Sequence, residues 1–316
     1  MNYGDILREA FHITWRNKFL WFFGFFVAGA TSSFNFPSAP GGNGTGGTTG
    51  PVPPQLYGIW RTIQENLVVI LVVAGIAFLV IFLVFLVLAL LSDAALAESV
   101  AAIHRGEGRR FGVAWRTGLR FVWRVLGLRL LLALISFALL LLTGLIVGVP
   151  IAVVFVATES VAARVLTAVL LGLLAILLLI AIFIPLAIIG QWALRRAVVE
   201  NSGAVASIGE AYRFFRRNAG KSLLIWLLQV GVMLGLGIAF LIAIVIVALP
   251  LALPVILLAV GEYMTAAVVV GVVMALIFLA IAFTASGALG AFNHAYWTLS
   301  YLRLSELDTA AHPAIA

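Results

Sequence analysis

Cysteine is absent from the 316 residues, so disulfides, thiolate metal ligands and cysteine nucleophiles are excluded at the outset. Charge is nearly as scarce. Only 10% of residues are Asp, Glu, Lys or Arg, while 64% are hydrophobic and the mean hydropathy is +1.20. A soluble domain is about a quarter charged and about half apolar, so this composition is that of an integral membrane protein. The four histidines, His12, His104, His294 and His312, never pair with a carboxylate at the helical spacing of a metal site, and they read as solvated at the membrane surface. No Gly-x-Ser-x-Gly elbow occurs. These absences leave no enzyme signature and imply no cofactor and no metal.

What is present is a series of long apolar runs. The first, Phe19–Ala30, is short of the roughly 20 residues a spanning helix needs; extension through Phe34 brings it near the limit, and a re-entrant segment is the competing reading. Five further spans are expected at Leu67–Leu91, Leu130–Val149, Val165–Ile189, Leu223–Leu249 and Met264–Ala285, with the third and fifth spans closing at Pro150 and Pro250 and Pro185 kinking the fourth. Between the first two lies a glycine- and proline-rich stretch, residues 35–56, expected as a flexible outer loop. It contains an Asn43-Gly44-Thr45 acceptor pattern but no Gly-Lys-Ser/Thr step to cradle a phosphate. Asp5, Arg8 and Glu9 interrupt the opening residues, which do not read as a cleavable signal peptide.

The formal charge of +7 and the pI near 10.4 would suggest nucleic acid in a soluble protein. Here topology explains them. With six spans, 17 of the 19 basic residues fall on one side, leaving only Arg61 and Arg164 outside, which places both termini in the cytoplasm. No nucleic-acid partner is implied.

The basic residues gather in amphipathic stretches that precede spans. Ile208–Asn218 reads IGEAYRFFRRN, Leu7–Asn17 reads LREAFHITWRN and Phe111–Phe121 reads FGVAWRTGLRF. Glu9 and Glu210 stand 201 residues apart, Phe111 and Ile208 stand 97 apart, and Pro150 and Pro250 stand 100 apart, so the chain repeats with a period near 100. The expected fold is an all-α integral membrane protein of six transmembrane helices, arranged as three elbow-plus-hairpin units with interfacial amphipathic helices. It forms one membrane domain over 1–316 with repeats at about 3–105, 106–203 and 204–304. Amphipathic returns at Ser92–Arg105 and Gln191–Asn201 and a last interfacial helix at Ser286–Leu304 complete the units.

Residues for a site are few. Arg116, Arg120 and Arg124 in the second elbow and Arg213, Arg216 and Arg217 in the third are the contacts expected for lipid headgroups, at about 1 kcal/mol each, or for a partner protein docking on the elbows as a set. Gly144-x-x-x-Gly148 and Gly231-x-x-x-Gly235 are small-residue pairs for helix packing, inside the bundle or against another subunit. The central parts of spans two to six lack ionisable residues; Gln229 is the most polar side chain there, followed by Ser136, Thr143, Thr167 and Thr265, all read as interhelical hydrogen-bonding groups. The outer glutamates Glu65, Glu159 and Glu262 offer a minor alternative, an enzyme acting on lipid headgroups.

Two segments carry a family resemblance: WRNKFLWFFGFF at Trp15–Phe26 and ALRRAVVENSGAVASIGEAYRFFRRNAGKSLL at Ala193–Leu224. They resemble a family of prokaryotic multi-span membrane proteins related to the membrane domain attached to some glycerophosphodiester phosphodiesterases. The resemblance implies a helical domain in a prokaryotic plasma membrane. It carries no phosphodiesterase activity, because no catalytic barrel is present. The expected function is that of a non-enzymatic scaffold or subunit of a membrane assembly, with membrane lipids and another membrane or cytoplasmic protein as partners. The alternative is a permease-like protein moving a lipid or amphiphile.

Overall fold

The computed structural model of the protein describes residues 2–31 and 66–311. The expected loop at 35–56, its Asn43 pattern, Arg61, Glu65 and His312 lie outside the described residues. Eight helices are described: α1 (Tyr3–Arg16), α2 (Phe19–Thr31), α3 (Leu67–His104), α4 (Phe111–Ala157), α5 (Val161–Val199), α6 (Ala204–Arg217), α7 (Ala219–Val260) and α8 (Met264–Ala311). Among the described residues there is no strand. Five of the helices, α3, α4, α5, α7 and α8, are long and apolar enough to cross a membrane, and the protein is a multi-pass membrane protein. The first apolar run forms a helix of 13 residues.

The long helices contain 38 to 48 residues. At 1.5 Å per residue they are about 57–72 Å long, roughly twice the 30 Å hydrocarbon core. The reason is that polarity changes along them without any break in the backbone. The returns expected at Ser92–Arg105 and Gln191–Asn201, and the final helix at Ser286–Leu304, continue α3, α5 and α8 directly. Pro150 and Pro250 likewise do not end their helices: α4 runs on to Ala157, and α7 passes both Pro250 and Pro254 to reach Val260. Prolines are tolerated inside membrane helices where neighbouring groups satisfy the freed carbonyls.

The elbows divide according to one residue type. In α1 the Asn17 side chain donates to the Ile13 carbonyl at 2.9 Å and its backbone N–H donates to the same oxygen, which ends the helix. Asn218 does the same after α6, with its side chain 3.4 Å from the Phe214 carbonyl and its N–H shared between Phe214 and Phe215. The Arg-Asn step common to both stretches is thus a helix stop. At the matching position the second stretch has Phe121, which is buried, and α4 continues without interruption from Phe111.

Burial is concentrated at one end of the molecule, the base; beyond it, among the described residues, Thr143, Val147 and Ala267 are also buried. At the base the lower part of α3 (Ala89–Ala102), the first turns of α4, the ends of α5 and α8, and α1, α2 and α6 pack together around Trp192, Tyr296, Tyr301, Phe23 and Leu128. Alanines make the close approach possible: Ala94, Ala95, Ala97, Ala101 and Ala102 of α3 are all fully buried. Trp192, Phe214, Trp297 and Tyr301 form an aromatic cluster, with Trp192 and Trp297 edge to face at 5.1 Å. Beyond the base α7 and α8 stay in contact as far as Val255 and Gly271, whereas every residue of α3 from Leu67 to Val87 is exposed.

The tightest joint is between α2 and α8. A Cβ on Gly24 would lie 2.1 Å from the Gly287 carbonyl oxygen, and one on Gly290 would lie 2.1 Å from that of Gly24. By contrast, a Cβ on Gly144, Gly148, Gly231 or Gly235 would meet nothing within 4 Å among the described residues, so these four do not serve as close-packing points within the chain. The spacing alone does not decide, because a small residue acts only where a second backbone comes near. Gly24→Ala should therefore lower the unfolding midpoint in detergent, with overpacking costing at least about 1–3 kcal/mol. Gly144→Ala and Gly231→Ala should leave it unchanged or raise it slightly.

Candidate functional site

Four of the long helices each bring one titratable side chain into the base. Asp93 comes from α3, Arg129 from α4, Arg195 from α5 and His294 from α8. Arg129 Nη2 donates to Asp93 Oδ2 at 2.6 Å. His294 Nε2 lies 3.3 Å from Asp93 Oδ1, in a geometry that closes no hydrogen bond. Arg195 stands within electrostatic reach of both Asp93 and Arg129. Asp93 is 3% exposed, His294 4% and Arg195 0%, whereas the Arg129 side chain is 43% exposed and reaches the edge of the packed base.

The charges do not balance. Two guanidiniums, which stay protonated in proteins, share one carboxylate, leaving an excess of one positive charge with the histidine neutral. Arg195 Nη1 donates to two oxygens of Gln191, the backbone carbonyl at 3.1 Å and the side-chain Oε1. Its Nε and Nη2 are buried and have no hydrogen-bond partner among the described residues. A buried cation in that condition is costly unless an anion or a dipole offsets it.

A pocket of about 280 Å³ opens beside this cluster between α4 and α5. Arg129, Ser136 and Gln191 supply its polar lining, and Leu128, Leu132, Phe183, Leu186 and Leu194 most of the rest. A second cavity, an apolar groove of about 1000 Å³, lies between α1, α2, α7 and α8; Trp15 and Trp21 line it at one end together with Arg8.

The residues singled out from the sequence are used differently. Arg124 donates to the Ala197 carbonyl at 3.1 Å and to Asn201 Oδ1 at 2.6 Å, closing the end of α5, where Asn201 takes a left-handed conformation at φ 58°. Arg217 lies 3.7 Å from Asp308 of α8. Arg116, Arg120, Arg213 and Arg216 are exposed. The second and third basic stretches touch through α4 and α6, while α1 packs on α8. Gln229 does reach across helices, donating to Asn293 Oδ1 at 3.2 Å, whereas Ser136 and Thr143 bond carbonyls of their own helix.

The histidines require correction. His104 is 2.5 Å from Glu9, which also pairs with Arg303 at 3.4 Å and so joins α1 to α3 and α8. His294 is buried in the charge cluster. Among the described residues no group of three metal-binding side chains occurs. The expected returns at Ser92–Arg105 and Gln191–Asn201 and the expected last interfacial helix hold Asp93, Arg195 and His294 in three separate stretches, while Arg129 stands just ahead of the third span. The available signal was that each lies where a long apolar run gives way to polar residues, the level at which those runs converge.

Asp93→Ala would leave the fully buried Arg195 and the half-exposed Arg129 without their shared anion, and loss of about 3–5 kcal/mol is expected. Arg129→Ala should cost clearly less, because Arg129 is partly solvated and Asp93 keeps Arg195 and His294 nearby. The unfolding midpoints of the two variants in detergent measure the difference.

Residues 17–308, from the end of α1 almost to the end of α8, match a family of unknown function, DUF7544. That match carries no link to the membrane domain of glycerophosphodiester phosphodiesterases. No curated protein and no solved structure matches the chain. With nearly all of its helical body inside the matched region, the chain belongs to the DUF7544 family.

Proposed function

We propose that the protein is a non-enzymatic scaffold or subunit of a membrane assembly in a prokaryotic plasma membrane, crossing it six times with both termini in the cytoplasm. The observation that carries this reading is the contrast in packing along the long helices. A dense base fixes where the helices start, while the spans beyond it keep broad apolar faces exposed among the described residues, most fully Leu67–Ala77. Lipid can solvate such faces, but so can the helices of a partner, through van der Waals packing in the bilayer.

Six crossings are supported by where the ends of the chain sit. The pairs Glu9–His104 and Glu9–Arg303 hold α1 at the base, while Leu67 begins α3 at the other end of a helix about 57 Å long. The chain therefore passes from one end to the other between Arg16 and Leu67. The basic residues collect at the base, which the positive-inside rule assigns to the cytoplasm. Because the chain has no cysteine, single substitutions test this cleanly. Cysteine at Ser160 should react with a membrane-impermeant maleimide in intact cells, and cysteine at Thr309 only after lysis; the reverse pattern would overturn the orientation.

A second reading, a permease-like protein for a lipid or amphiphile, is favoured by the apolar groove between α1, α2, α7 and α8. A photo-cross-linking side chain at Leu71 or Ile76 separates the two. The assembly reading expects a discrete protein adduct, either a partner or a second copy. Adducts to lipid alone would sink it and favour the second reading.

A further inference from the structure

The pocket between α4 and α5 combines a cationic end, beside the base, with an apolar end that extends toward the hydrocarbon. On α4, Arg129 follows the buried Phe121, Val125 and Leu128 of the base and precedes the apolar run that begins at Leu130. It therefore stands where the packed base meets the hydrocarbon, the height of the phospholipid headgroups on the basic side of the protein.

The donors of the cationic end are fixed by their neighbours. Arg195 is donor-only, so the Gln191 side-chain oxygen must face it, and the Gln191 NH2 group is left over. Arg129 commits Nη2 to Asp93 and keeps further N–H groups for the pocket that it lines. No carboxylate lines the pocket. Behind Gln191, the fully buried Arg195 has two unpartnered nitrogens and adds the charge that Asp93 alone does not cancel. One to two turns along the same helices, toward the hydrocarbon, stand Leu132, Phe183 and Leu186. The ligand that fits is an anion attached to an apolar body.

We propose that this pocket binds the phosphodiester of an anionic membrane phospholipid, held by Arg129 and Gln191, with its glycerol and first acyl carbons against Leu132, Phe183 and Leu186. The net positive charge of the cluster selects a headgroup without a compensating cation. This site is distinct from the exposed elbow arginines, and it stands whether or not the protein joins an assembly.

Native mass spectrometry of the full chain, with phosphatidylglycerol and phosphatidylcholine offered separately, tests the proposal. One phosphatidylglycerol per chain should be retained, and phosphatidylcholine should bind more weakly. Arg129→Gln should weaken phosphatidylglycerol about tenfold, since a charged hydrogen bond is worth about 1.5–3 kcal/mol and tenfold is about 1.4. Because Arg129 also holds Asp93, Gly190→Leu provides a second variant with the ion pair intact. A Cβ there already comes within 3.3 Å of Leu132, so the larger side chain fills the pocket and should also release the lipid. Lys221→Gln removes the same charge at an exposed position and should change nothing. Equal binding of both lipids would overturn the proposal, as would wild-type retention in both pocket variants. Displacement of the lipid by millimolar inorganic phosphate would likewise overturn it, in favour of a soluble-anion site.

Discussion

The Asp93 carboxylate is the common neighbour of side chains from three other long helices, and the order of the base depends on it. Arg129 reaches it by a 2.6 Å hydrogen bond, His294 stands at 3.3 Å, and Arg195 lies within its field. An apolar side chain at this point could fill the same space, and buried ion pairs are often no more stabilising than such a replacement. What a carboxylate adds is a requirement for register. If α4 or α5 slid by one turn past α3, about 5.4 Å, the buried Asp93 carboxylate or the buried Arg195 guanidinium would lose its counter-charge. In an Ala- and Leu-rich chain, where many helix registers pack almost equally well, that penalty separates one arrangement from its neighbours.

The same reasoning explains why packing is dense at the base and sparse along the spans. Within the hydrocarbon core lipid is as apolar as leucine, so burying leucine against leucine gains little. At the interface water competes, and burial again yields about 25 cal/mol per Å². The fully buried alanines of α3, the Gly24–Gly287–Gly290 joint and the Trp192–Trp297 pair all lie in or beside the base. The elbow helices α1 and α6 serve this layer too: each buries one face, Ile6, Ala10 and Ile13 in α1 and Ala211, Phe214 and Phe215 in α6, and turns its charge outward.

Helix content, the five long apolar helices and the amphipathic stretches could all be read from composition and spacing, because each depends on residues adjacent in sequence. The Arg-Asn step was visible as well, and its meaning follows from local chemistry: asparagine bonds the carbonyl four residues back and stops the helix. The continuity of the returns was misjudged because a change from leucine to serine and aspartate alters solvation while leaving the hydrogen-bond ladder intact. The glycine joint escaped notice because Gly24 sits in a short aromatic run and becomes meaningful only when α8 lies across it. The charge cluster depends on the same kind of contact: Asp93 and Arg129 belong to different helices, and their shared position at the end of an apolar run does not say that they meet or that Asp93 is buried.

Arg129 is the one member of the cluster with two possible claims on it. It is partly exposed, it holds Asp93, and it lines the pocket between α4 and α5. An anion in that pocket would share the guanidinium with Asp93, and the two anions together would match the two arginines. The charge excess that looks like a defect of the isolated chain would then be neutral in a membrane containing anionic lipid. The energetic argument follows from this difference. A base assembled around two arginines and one carboxylate is incomplete on its own, and the bilayer surface next to it supplies anions at high local concentration. With the proposed lipid in place, the fold would use its membrane as a structural component at the level where its helices converge.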